Sequence, residues 1–194
     1  MTTRRYDMTT RARAVESTRD QILEAAREHF FAGAYDEVTI ASIARTAGTS
    51  NQTVLNHFGS KDGLFAALVE RVGEEIAVIR GDALPADAAA TVAILVRQYE
   101  AYGDVNARLG ALEDRIPAVA AALEIGRASH QGWLVETFAD RLSSTAAERR
   151  MDVAALHAAT DVYVWKLLRR DLGLSRTQTA TVMERLLRAV LEHR

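Results

Sequence analysis

The chain has no cysteine, and only two prolines and 11 glycines in 194 residues. Without cysteine there is no disulfide framework, no thiolate nucleophile and no thiolate metal ligand. So little proline and glycine, beside abundant Ala, Leu, Glu and Arg, favours long helices over many short strands. No apolar run approaches the length that crosses a bilayer, and the one from Ile116 to Leu123 is far too short. Met1 to Ser17 holds basic residues but no apolar stretch fit for a signal peptide, so a cytoplasmic location without a membrane partner is expected. A charge excess is also missing: 24 basic against 26 acidic residues leave a net charge of −2. Lysine is almost absent, with Lys61 and Lys166 the only two.

Catalytic constellations are lacking as well. His29, His57, His130, His157 and His193 show no metal-ligand spacing. No glycine-rich phosphate loop follows a strand, and no Gly-x-Ser-x-Gly elbow is present. The acidic pairs Glu74-Glu75 and Glu113-Asp114 are sequence neighbours and point apart on a helix. These absences argue for a non-enzyme with no metal and no cofactor.

What is present is a helical protein with 48% hydrophobic residues, enough for a buried core. Residues 1–16 read as a flexible basic arm, in which residues 1–13 carry Arg4, Arg5, Arg11 and Arg13 against Asp7 alone. Ser17 is placed to cap a first helix whose inward residues are Ile22, Leu23, Ala26 and Phe30, ending at Gly33. Thr39 caps a short second helix with Ile40, Ile43, Ala44 and Ala47 inward, closed by Gly48. Ser50 caps a third around Val54 and Leu55, and Gly59-Ser60 breaks the chain before a long fourth helix from Lys61. Beyond a joint at 81–85, helices are expected near 85–102, 105–115, 117–142, 150–171 and 175–193. The expected fold is all-α: a three-helix head over 17–62 and a larger helical body over 63–194.

Residues 40–58 meet the demands of a helix-turn-helix: two short helices, a tight turn and a small residue where they touch. Ala44 is the small residue, and Gly48 stands at the turn, where a positive φ is easiest for glycine. Asn51, Gln52 and Asn56 lie off the apolar face, and amide side chains can make paired hydrogen bonds to adenine. An ordinary helical hairpin that reads no DNA uses the same residue types, so a protein-interaction module is the competing interpretation.

The stretch TIASIARTAGTSNQTVLNHFGSKDGLF, with ILEAAREHFFAGAYDEVT before it, resembles the DNA-binding head of the TetR family of repressors. Thr39, Ile43, Ala44, Gly48, Ser50, Thr53, His57, Phe58, Lys61 and Leu64 fit that pattern over about Thr18 to Leu68. The resemblance implies Thr39, Thr53, His57 and Lys61 near phosphates, Ser50 among the DNA-binding residues, and Asn51, Gln52 and Asn56 facing bases of a palindromic operator in double-stranded DNA. Leu55 departs from it, standing where the family usually has tyrosine. It either touches a thymine methyl or has turned to packing.

The resemblance also implies a homodimer with a small-molecule effector that controls DNA binding. Leu156, Tyr163, Leu167, Met183, Leu187 and Val190 lie on apolar stripes suited to a two-fold four-helix seam, or to the subunit's own core. Tyr99, Tyr102, Arg127, His130, Trp133, Phe138 and Trp165 are the candidates to line an effector pocket. Arg127 needs either a carboxylate, such as Glu124, Glu136 or Asp161, or an anionic ligand.

Overall fold

The computed structural model describes residues 3–81 and 87–192, with side chains from residue 15 onward. The side chains of the arm's arginines, most of the 81–85 joint and His193 therefore fall outside it. Every regular element among the described residues is helical. They are α1 Thr3–Ala32, α2 Ile40–Thr46, α3 Asn51–Phe58, α4 Lys61–Arg80, α5 Ala88–Gly110, α6 Pro117–Thr137, α7 Ala146–Thr160, α8 Val162–Lys166 and α9 Arg176–Glu192. None is long and apolar enough to cross a membrane.

Two compact units divide at Val72/Gly73, and α4 runs through the division. The first unit surrounds Ile22, Leu23, Ala26, Phe30, Tyr35, Ile43, Ala44, Val54, Leu64, Phe65 and Leu68, all buried. Phe30, Tyr35 and Phe65 form a mutual aromatic cluster with centroids 5.0–5.4 Å apart. Because Leu64, Phe65 and Leu68 belong to this core, the beginning of α4 is part of the head. In place of a helix capped at Ser17, α1 starts at Thr3 and carries Ser17 within it. Arg, Ala and Met in residues 3–14 are good helix formers, and neither proline nor glycine interrupts them.

In the second unit α5 packs against α6, α8 and α9, and α7 against α6 and α9. Leu95, Leu134, Leu156, Trp165, Met183 and Leu187 are fully buried there. Three boundaries differ from those expected. The helices expected at 85–102 and 105–115 are the single α5, which passes through Gly103-Asp104. Gly103 is at a close approach: a Cβ there would stand 2.4 Å from Cζ3 of Trp165. The helix expected over 117–142 stops at Thr137 and gives way to a 3-10 turn, Ala139–Arg141. The one expected over 150–171 starts earlier, at Ala146 behind a Thr145 cap, and breaks at Asp161. Asp161 is extended (ψ 150°), and its carboxylate caps α8 by accepting from the Tyr163 N–H at 2.7 Å. A π-turn, Leu167–Asp171, then leads to Gly173, whose φ of 67° is left-handed.

Candidate nucleic-acid interface

The interface is built from two capped helices and the turn between them. Thr39 Oγ1 accepts from the Ser42 N–H at 3.0 Å, and Ser42 Oγ accepts from the Thr39 N–H at 3.3 Å, a reciprocal box that starts α2. Ser50 caps α3 by accepting from the Thr53 N–H at 3.1 Å, and its hydroxyl also meets the Thr53 hydroxyl at 2.8 Å. Gly48 makes the turn with φ 64°, and Gly59 ends α3 with φ 76°. Ala44 and Val54 are buried where the two helices pack.

On α3 only Val54 is fully buried, while Asn51, Gln52, Leu55 and Asn56 are exposed. Residues three and four apart share a helix face, so these four make one continuous outer patch. Gln52 Nε2 donates to Asn56 Oδ1 at 2.8 Å along its edge. Leu55 is 38% exposed, so it is partly covered and presents the remainder of its side chain outward beside the amides. Thr53 and His57 are half-buried beside the patch, and Thr39 is exposed. Lys61 is half-buried: its ammonium donates to the Tyr35 carbonyl at 3.1 Å and lies 4.4 Å from the Tyr35 ring centroid. The Tyr35 hydroxyl in turn donates to Asp62 at 2.5 Å. Burial first, then this bond and the nearby acids, push the Tyr35 pKa above the ordinary phenol value. Sequence reasoning missed this role of Tyr35, because nothing in its spacing marks a helix-entry anchor. It also missed Arg19, whose guanidinium lies 5.4 Å from the Phe58 ring centroid.

The candidate effector residues of the body are not gathered around one space. Tyr99 and Trp165 are buried against each other, and the Tyr99 hydroxyl donates to the Thr160 carbonyl at 2.7 Å. Trp165 Nε1 donates to Glu100 at 3.3 Å, and Tyr102 donates to Glu75 at 2.5 Å. Arg127 does not lie on an apolar face but at the surface, where it pairs with Glu113 (3.1 Å through one nitrogen) rather than with the acids expected from sequence. Its need for a counter-charge is thereby met. Phe138 is the only one of these candidates at the cavity of about 300 Å³ bounded by Asp87, Arg141, Arg188 and Leu191.

His130 is buried at the centre of a polar group. Thr160 donates its single hydroxyl proton to the Leu156 carbonyl at 2.7 Å, so His130 Nε2 is the donor in their 2.9 Å contact. The other ring nitrogen, Nδ1, has no partner. Burial, reinforced by Arg80 and His157 and opposed by Asp161, pushes the His130 pKa down to about 3. His157 donates to Asp161 at 3.0 Å; burial works against the Asp161 carboxylate, but this bond and the Tyr163 N–H hold its pKa below the usual value. Arg80, overlooked in the sequence, lies over Trp133 at 4.9 Å and donates to Gln98 at 3.2 Å.

Of the seam candidates, Leu156, Met183 and Leu187 are fully buried in the chain's own core, and Val190 is partly buried. Tyr163 and Leu167 are exposed, and so are Leu172 and Leu186.

Residues 22–68 match the family model described as bacterial regulatory proteins, tetR family. The HTH-type transcriptional repressor Rv3405c of Mycobacterium tuberculosis is 30% identical over 113 residues, 55% of this chain and 57% of that protein. The HTH-type transcriptional regulator AlkX of the same species is 34% identical over 58 residues, 30% of this chain and 28% of that protein. The chain thus spans well under two thirds of the curated relatives it matches. GusR of Salmonella enterica superimposes with a TM-score of 0.71 at 22% identity, over 91% of this chain and 96% of that one, a likeness of fold. The head, residues 22–68, thus resembles the tetR family of bacterial regulatory proteins, and the rest of the chain shares its fold with solved structures described as tetR-family regulators.

Proposed function

We propose that the protein is a transcriptional regulator that binds double-stranded DNA as a homodimer, acting as a repressor released from a palindromic operator by a small apolar or aromatic effector. The observation that carries DNA binding is α3, a helix capped at its start, held from behind by Val54, and presenting Asn51, Gln52, Leu55 and Asn56 outward. Such an outer face is what a recognition helix places against base edges in the major groove. Thr39, Ser50, Thr53 and His57 border that face with groups able to meet phosphates. Lys61 adds its ammonium at the start of α4. Selection from a random-sequence duplex pool tests the reading. A palindromic consensus supports it, and no enrichment defeats it in favour of a helical protein-interaction module. Lys61→Ala should weaken binding to all duplexes alike and flatten the salt dependence by about one unit of slope.

The effector is assigned to the body by likeness to the tetR family and not by a formed pocket, since Tyr99, His130, Trp133 and Trp165 are packed in the interior. An effector shifts DNA binding only by its preference between DNA-competent and incompetent states, a coupling of typically about 1–3 kcal/mol. Reciprocity requires operator DNA to weaken effector binding by the same factor. Calorimetry of thermal-shift hits with and without operator measures it, and hits that bind equally in both conditions defeat the switch.

A further inference from the structure

We propose that Leu55 is a base-reading residue that packs on the C5-methyl group of a thymine, so each half-site contains a thymine that no other base replaces at full affinity. The inference rests on the DNA-binding reading above and names what one position of that interface recognises.

Leu55 lies inside a patch whose other exposed members are amides: Asn51 four residues before it, Gln52 three before it and Asn56 next to it. A leucine at such a place gains nothing from water, and the core on the opposite face is already filled by Val54 at 0% exposure. Leu55 has no polar atom of its own to offer a phosphate or a base heteroatom. The one feature of the major groove that rewards an apolar side chain is the thymine methyl, which cytosine, adenine and guanine lack. Beside it, Gln52 donates to Asn56 at 2.8 Å, so these two amides are tied to each other. Polar readers on either side with an apolar reader between them would read an A·T-containing step by two different chemistries.

The test uses the full-length protein and the duplex most enriched from the random pool, with each thymine replaced in turn by deoxyuridine. That change deletes one methyl group and leaves base pairing intact. One symmetry-related thymine pair should show the effect: about fourfold weaker binding per half-site, the factor expected for one buried methyl-sized group. Leu55→Ala should bind the thymine and deoxyuridine duplexes equally, while Leu55→Met, which keeps an apolar reach, should retain part of the difference. Circular dichroism should show both variants folded, since the side chain is outside the core. An enriched site without any methyl effect overturns the assignment of Leu55 alone. So does a methyl effect that persists unchanged in Leu55→Ala. A pool that yields no enriched site overturns the DNA-binding reading and this inference with it.

Discussion

Gln52 and Asn56 stand one helical turn apart, and the bond between them leaves the two amides with unequal capacities. Gln52 keeps its carbonyl oxygen and one N–H, the acceptor and donor pair that matches the adenine edge. Asn56 keeps both amide hydrogens but has its oxygen engaged. Gln52→Ala is therefore expected to lower discrimination at one base pair by about 1–3 kcal/mol. Asn56→Ala should relax the same base pair, and the double variant should lose less than the sum, by about 0.5 kcal/mol or more. Binding measured on single-base variants of the selected site gives the cycle; strict additivity would mean the two amides act independently. In the body, His130 carries a pH prediction. Its folded pKa of about 3 is below the unfolded value near 6.5, so the unfolded chain binds the extra proton. The stability this burial demands is present above about pH 6.5 and falls as pH drops towards 3, by up to about 1.4 kcal/mol per pH unit. His130→Leu should flatten that segment of the curve in denaturant titrations at successive pH values; an unchanged slope would show that the imidazole is hydrated. Both sites show what a sequence can disclose about single residues. The residue types at 51, 52 and 56 pointed outward correctly because helix spacing alone decides the face. The surroundings of Arg127 and His130 did not follow, because Glu113 and Thr160 are brought to them by the packing of separate helices.

At the scale of elements, the caps and turns of the head were legible because each is local: Thr39, Gly48, Ser50 and Gly59 act within four residues of themselves. The body was less so. Gly103-Asp104 reads as a break, yet α5 continues through it, since a glycine in a helix costs only about 1 kcal/mol relative to alanine and here makes room for Trp165. The break lies instead at Asp161, whose neighbours Thr160 and Val162 give no local stop signal. The two elements yield a test with opposed effects. Helix propensity alone makes Gly103→Ala favourable by about 1 kcal/mol. The added Cβ would meet Cζ3, Cε3 and Cη2 of a fully buried indole at 2.4–2.8 Å, and overpacking of that kind costs about 1–3 kcal/mol or more. The clash should win, and thermal melting should move downward. A higher melting temperature would mean that α5 and Trp165 are not in contact.

At the scale of the molecule, the proposed recognition helix has eight residues and would read few base pairs, so the proposed palindromic operator calls for two heads on a two-fold axis. Sequence periodicity offered Leu156, Met183 and Leu187 equally to a seam or to a core, since a stripe on a helix does not say which partner covers it. Burial of all three within the chain favours the core. Leu187→Asp, which at first sight should split a dimer, is now expected to unfold the body instead, because a carboxylate without partners would be forced into a filled interior. The residues left for a seam on the last helices are Tyr163, Leu167 and Leu186, exposed by 51%, 48% and 42%. Three large apolar side chains that far out of the core are the material of an interface. Leu167→Asp together with Leu186→Asp should leave the far-ultraviolet spectrum intact while sedimentation shifts from dimer to monomer. The same double variant should bind a single half-site as wild type does per head, and lose the gain that the full palindrome confers. A folded, unchanged dimer would place the seam on another face, and a monomeric wild type would remove the two-fold reading of the operator altogether.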